Sequence, residues 1–210
     1  MSLWLRIHLT TLTSLKTKAG SSAHSKKGYS AMSAKQQAST RLSAGSSGPR
    51  AAKSLDDLIA AGTWRQNSGL EIIEGMMCGK FTHPPISGVL GFHLVEAEFG
   101  RVTFEGRSDF SFCNPMGTVH GGWYTTLLDS AMACAVIAAL PKGRLFTTLE
   151  LKVNFVKSVP IGHTVLAKGR TVHVGRTTAV AEASLHDAEE RLYCTSSSTG
   201  LIVKLPESAD

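Results

Sequence analysis

The residues best equipped for chemistry are Asn114-Pro115-Met116-Gly117-Thr118-Val119-His120-Gly121-Gly122, followed by Asp129 inside an apolar run. Two glycines at the start of a helix leave backbone N–H groups uncovered by side chains, and the first turn of a helix has no internal acceptors for them. Those donors and the helix dipole favour negative charge, including the charge that builds on a carbonyl oxygen under attack. Asp129 is a carboxylate within an apolar helix, a placement that costs on the order of several kcal/mol unless the group is paired or used. It either meets a structural hydrogen-bond partner or serves as a water-activating base or nucleophile, with its pKa raised by burial.

The spacing constrains how these groups cooperate. Gly121 and Asp129 are eight residues apart, about 12 Å along one helix, so a single bound carbonyl cannot touch both in one chain. A two-fold dimer with antiparallel helices brings the glycine end of one copy to the aspartate of the other and creates two equivalent sites. No Gly-x-Ser-x-Gly elbow surrounds Ser130, and no cluster has metal-ligand spacing. No cofactor is expected.

The elements that position these groups follow from hydrophobic period. From Gly122 to Leu140 nearly every residue is small or apolar, and Pro141 ends the run. That pattern predicts one long helix buried on almost every face; Asp129 argues against a membrane span. Around it the period is two. Val102–Phe112 and Leu149–Phe155 alternate apolar with polar residues, and Thr164–Val174, Thr177–His186 and Arg191–Val203 are further extended candidates joined by short turns. The expected fold is α+β, an antiparallel sheet of five to six strands curled around the helix. Ser54-Leu55-Asp56-Asp57 reads as an N-cap and acidic first turn, predicting a helix near 55–62, with another around 69–80. His83-Pro84-Pro85 breaks the chain.

The net charge of +6 over 210 residues is unevenly placed. Residues 1–55 hold nine basic and no acidic residues, whereas the remaining 155 hold 13 basic and 16 acidic ones. The body is mildly acidic and not expected to bind nucleic acid or a membrane. Residues 1–53, rich in Ser, Lys, Gly and Ala, read as a disordered extension outside the fold, or as a transit peptide. The expected divisions are therefore 1–53, a helical segment 54–82, and a main domain 83–205. Cys78, Cys113, Cys134 and Cys194 are too scattered for a disulfide framework and suit reduced thiols in the cytoplasm, or the mitochondrial matrix if the extension is a transit peptide.

Asn114-Pro-x-Gly-x-x-His120-Gly121-Gly122, the Asp129 that follows, and Thr147-Thr148-Leu149-Glu150-Leu151-Lys152-Val153-Asn154-Phe155 together resemble the PaaI-type acyl-CoA thioesterases of the hotdog fold. The resemblance runs from about residue 85 to 203, with Leu90–Val95 lying before the first strand. It implies hydrolysis of an acyl-CoA, aromatic or medium-chain, to the free acid and CoA. The Gly121 N–H would polarise the thioester carbonyl, helped by the Asn114 side chain. Asp129 of the facing subunit would act on water or as nucleophile, and Thr148, or its neighbour Thr147, would position that water. His120 would orient the loop or the substrate, beside Gly122. Arg176 is the first candidate for the CoA phosphates, ahead of Lys157 and Arg170, and Trp123, Tyr124 and Phe92 are candidates for the acyl pocket. A homodimer or a dimer of dimers is expected. The alternative is an acyl-CoA-binding protein of the same fold without catalysis; the histidine and acid spacing of the related dehydratases is absent.

Overall fold

The computed structural model describes residues 50–207, and the readings for residues 1–49 lie outside them. Short helices α1 (Ala61–Gln66), α2 (Gly69–Met77) and α3 (Pro85–Leu90) precede strands β1 (Phe92–Glu98) and β2 (Arg101–Arg107). The long helix α4 (Gly121–Ala138) is followed by β3 (Arg144–Phe155), β4 (Thr164–Val174), β5 (Thr178–His186) and β6 (Leu192–Lys204). All pairings are antiparallel and the sheet order is β1-β2-β4-β5-β6-β3, so β1 and β3 are its edges. All six strands contact α4, which gives the expected sheet curled around one helix.

Side-chain size explains the close approach. Ala167, Ala179, Ala181 and Ala183 of β4 and β5 face Leu127, Leu128, Ala131, Met132, Ala135 and Val136 of α4, and all are buried. A Cβ on Gly169 would stand 2.3 Å from the Ala131 carbonyl oxygen, so only glycine lets β4 pass beneath the helix there. Gly200 does the same for the Phe146 ring, which would lie 2.2 Å from an added Cβ. The β5–β6 turn is held by Asp187, whose carboxylate accepts the Glu189 and Arg191 N–H groups, the Arg191 Nε–H and the Tyr193 hydroxyl. Although burial opposes it, the hydrogen bonds from Arg191 and Tyr193 hold this carboxyl down at about 2.

Several expectations need correction. The helix expected at 55–62 is absent before residue 61: the Asp57 carboxylate accepts the Lys53 N–H at 2.9 Å, and Leu55 (83% exposed) and Leu58 (42%) stay largely in solvent. The helix begins instead at Ala61. The strand expected through Phe112 stops at Arg107, because the Asp109 side chain accepts the Ser111 N–H and closes a 3-10 turn over Phe110–Phe112. Phe92–Val95 is not a lead-in but the start of β1, reached through α3, which opens with Pro85 at its first position and closes on Gly91 at φ +66°. Packing also begins before residue 54. Ala51 pairs in parallel with His83, and Ala52 is 4% exposed.

Contrary to what its composition predicts, helix α4 is not covered on almost every face: Thr125, Thr126, Asp129, Ser130, Ala133, Cys134 and Ile137 remain part-exposed. Their spacing of three and four places them along one stripe of the helix. The four cysteines are free thiols, Cys78 exposed and Cys194 buried.

Candidate active site

The loop before α4 is built by its own side chains. Asn114 Oδ1 accepts the Met116 N–H (3.0 Å) and the Thr118 N–H (3.2 Å), while its Nδ2 donates to Thr118 Oγ1 (2.9 Å). Gly117 supplies the φ of +75° that the turn requires. The Asn114 side chain thus closes the loop, leaving a single amide hydrogen for a ligand.

His120 is the N-cap of α4. Its Nδ1 accepts the Gly122 N–H at 2.8 Å, which requires the proton on Nε2, and its carbonyl accepts the Trp123 N–H at 3.0 Å. This corrects the expectation that Gly122 offers a donor to substrate, because the histidine already takes it. Gly121 is different: among the described residues its N–H meets no acceptor. The cap therefore satisfies one glycine and leaves the other open, at the positive end of an 18-residue helix.

The acid lies further along the part-exposed stripe. Asp129 Oδ1 accepts the Thr148 hydroxyl at 2.9 Å. Burial raises the Asp129 pKa from its ordinary value, and the Thr148 hydroxyl, by stabilising the charged form, partly offsets that rise. The Cys134 thiol, one turn on, is pushed up to about 12, chiefly by burial and in part by Asp129. Thr147 is the neighbour of Thr148 on β3, and the strand's alternation turns it to the opposite face.

The candidate groups thus fall into two separate clusters, a donor half and an acid half. The donor half is Gly121, His120 and the Asn114 loop. The acid half is Asp129 with Thr148. They are separated along α4 by about 12 Å. One residue unassigned in the sequence, Phe155, joins the donor half: a Cβ on Gly121 would meet its Cζ at 3.0 Å. Its place at the end of an alternating run was visible, but its proximity to Gly121 is a long-range fact of the fold.

The remaining candidates separate. Trp123, expected at the acyl pocket, is 3% exposed, stacks on Phe112 at 6.0 Å and donates its indole N–H to the Leu90 carbonyl. It is core, as are Phe92 and Tyr124. Arg176 and Lys157 are exposed, Arg176 in the β4–β5 turn that the Gly175 N–H closes on the Thr178 carbonyl. Arg170 is paired with Glu182. A groove of about 670 Å³ lies on the sheet face away from α4, lined by Glu96, Arg101, Lys152, Lys168, Arg170 and Glu182 among others. It contains none of the half-site residues, and Arg101, Lys168 and Arg170 are in ion pairs with Glu98, Glu190 and Glu182. Among the described residues no group of three His, Cys, Asp or Glu side chains converges as metal ligands would.

Residues 116–194 match the family described as the thioesterase superfamily. ComA2 of Bacillus subtilis, which bears a provisional esterase name, is 33% identical over 116 residues, covering 55% of this chain and 91% of ComA2. The 1,4-dihydroxy-2-naphthoyl-CoA hydrolase of Listeria monocytogenes is 26% identical over 115 residues, 55% of this chain and 93% of that enzyme. Among solved structures, smu.793 of Streptococcus mutans, crystallised with acetyl CoA, shares 28% identity with a TM-score of 0.51, covering 56% of this chain and 92% of that one.

Proposed function

This chain belongs to the thioesterase superfamily, and from that premise we propose that it hydrolyses an acyl-CoA, aromatic or medium-chain, at sites formed between two copies. It is a thioester hydrolase of hotdog fold. The observation that carries the specific reading is the open Gly121 N–H at the head of the same helix stripe that exposes the Asp129 carboxylate.

In this reading the thioester carbonyl oxygen accepts the Gly121 N–H of one copy. The Asp129 of the other copy either takes a proton from water as the oxygen attacks the carbonyl carbon, or attacks that carbon itself. The C–S bond breaks and the CoA thiolate leaves, protonated by the acid in the first route and by solvent in the second, where water then hydrolyses the acyl-aspartyl anhydride to the free acid and restores the carboxylate. Thr148 holds the carboxylate in its own chain, and Arg176, with Lys157, meets the CoA phosphates.

Dimerisation is supported by two features of the single chain. The α4 stripe of Thr125, Thr126, Asp129, Ser130, Ala133 and Cys134 is only partly covered. β3 is a 12-residue edge strand with Leu149 more than half exposed, an arrangement natural proteins rarely leave unpaired. A two-fold axis beside both covers them together, and pairs of such dimers make the tetramer alternative. The aromatic acyl class draws support from the Listeria hydrolase, whose named substrate is an aryl-CoA. Among the described residues no helix is long and apolar enough to cross a membrane; a cytoplasmic location accords with four unpaired thiols.

The test is thiol release from a panel of aromatic and aliphatic acyl-CoAs by wild type and Asp129→Asn, with molar mass from sedimentation. The expected result is turnover by a dimer or larger assembly that falls by roughly 10³-fold in the variant. Equal turnover by both proteins, or a fully active monomer, overturns the assignment; binding without turnover by the wild type returns the reading to a non-catalytic acyl-CoA binder.

A further inference from the structure

Phe155 ends β3 with 55% of its surface exposed, an unusual state for an aromatic side chain pointing at the helix side of its sheet. Its ring is held in place. Cζ and Cε1 would be 3.0 and 3.2 Å from a Cβ on Gly121, and the Tyr124 ring backs it at a centroid distance of 5.8 Å. Tyr124 is itself pinned, its hydroxyl accepting the Val159 N–H at 2.9 Å. The backbone beyond Phe155 is tied down as well, with the Val156 and Lys157 N–H groups both donating to the Tyr193 carbonyl, at 2.8 and 3.1 Å.

This half-open ring adjoins the open Gly121 N–H. A backbone nitrogen lies about 2.5 Å from its own residue's Cβ position, which keeps the ring within about 6 Å of the Gly121 nitrogen, so an acyl group whose carbonyl oxygen accepts that N–H at roughly 2.9 Å has the ring as a neighbour. We propose, on the thioesterase reading above, that Phe155 is a specificity-determining residue whose exposed ring forms the wall beside the acyl α-carbon, admitting acyl groups with a methylene or a flat aryl carbon there and rejecting those with a branched tetrahedral carbon. The same wall explains the glycine at 121: a side chain there would displace the ring from the donor it flanks.

The discriminating experiment compares substrate pairs that differ by one methyl at the α-carbon: phenylacetyl-CoA with 2-phenylpropanoyl-CoA, and hexanoyl-CoA with 2-methylhexanoyl-CoA. Wild type is expected to favour the unbranched member of each pair in kcat/KM by at least tenfold. Phe155→Ala is expected to reduce that preference about tenfold, and Phe155→Leu to give an intermediate ratio, which also serves if the alanine variant does not fold. A ratio unchanged within twofold in both variants overturns the proposal, whether activity is retained or lost equally on both substrates, since equal loss marks a packing or assembly role. Asp129→Asn run alongside separates this failure from that of the parent reading: full activity in that variant removes the thioesterase mechanism, whereas its inactivity with unchanged Phe155 ratios removes only the wall.

Discussion

The hydrogen bond between Thr148 and Asp129 allows a quantitative forecast. Thr148→Val removes the hydroxyl and keeps the branched shape, so packing on β3 is conserved while Asp129 Oδ1 loses its 2.9 Å donor. A hydrogen bond to a charged group contributes about 1.5–3 kcal/mol, and 1.36 kcal/mol corresponds to one pKa unit. Because Asp129 is part-exposed, solvent replaces some of the loss, and a rise of about one unit is the expected outcome. The sign follows from which form the donor favours. Thr148 stabilises the carboxylate and lowers a pKa that burial has raised; removing it drives that pKa higher still. The acid limb of kcat/KM should therefore move about one unit towards neutral pH, with a roughly tenfold loss below the limb and little change on the plateau. Thiol release from one good acyl-CoA substrate across the range from acid to mildly alkaline pH measures this, and Thr148→Ser should restore the wild-type limb. A limb that stays in place, or moves to lower pH, refutes the assignment of Asp129 as the group whose ionisation sets the rate.

Asp129→Asn should stabilise the protein while it removes activity. A carboxyl whose folded pKa lies above its unfolded value favours folding when protonated, so the wild type loses stability as pH rises through the folded value, and the variant does not. A thermal midpoint about 2–4 °C higher at neutral pH, with the gap closing in acid, is expected from calorimetry; a lower midpoint for the variant contradicts it. His83 behaves in the opposite sense. It is 2% exposed, its Nε2 donates to the Met76 carbonyl at 3.0 Å, its Nδ1 has no partner, and burial, reinforced by nearby His93, lowers its pKa. The neutral form carries the stability, which is full above about pH 6.5 and declines as pH falls towards the folded value. Melting curves from neutral to mildly acid pH should decline more steeply for wild type than for His83→Gln, and parallel curves would show that His83 does not titrate there. Gly169→Ala should destabilise by about 3 kcal/mol or more, since the new methyl meets the helix backbone at Ala131 rather than a movable side chain; a denaturant midpoint indistinguishable from wild type would mean that β4 can shift.

Much of this arrangement was legible in the chain. The apolar run after Gly121, the alternation in β3 and the sequence from Thr164 to Val203 specify elements through contacts two to four residues apart, and those contacts decide the period of each element. Local pairing also misled in places. Ser54-Leu55-Asp56-Asp57 has the letters of a helix start, yet its apolar residues have no surface to cover. The alternation through Phe112 continues past Arg107, yet Asp109 captures the Ser111 N–H and ends the strand.

By itself, then, the sequence determined the helix, the strands around it, the glycine pair at the helix head and the acid eight residues on, with their separation too long for one carbonyl to touch both in one chain. The tertiary structure alone decided which of those groups remain available. His120 turns its Nδ1 onto Gly122 and leaves Gly121 open. The shift in register between Thr148 and Glu150 opposite β6 breaks the alternation of β3, exposing Leu149 while Thr148 faces Asp129 and Phe155 stands beside Gly121. The physical reason is range: propensity and period act within a few residues, whereas the partner of a hydroxyl, an amide or a ring is set by strands joined across the sheet, whose pairing no local pattern encodes.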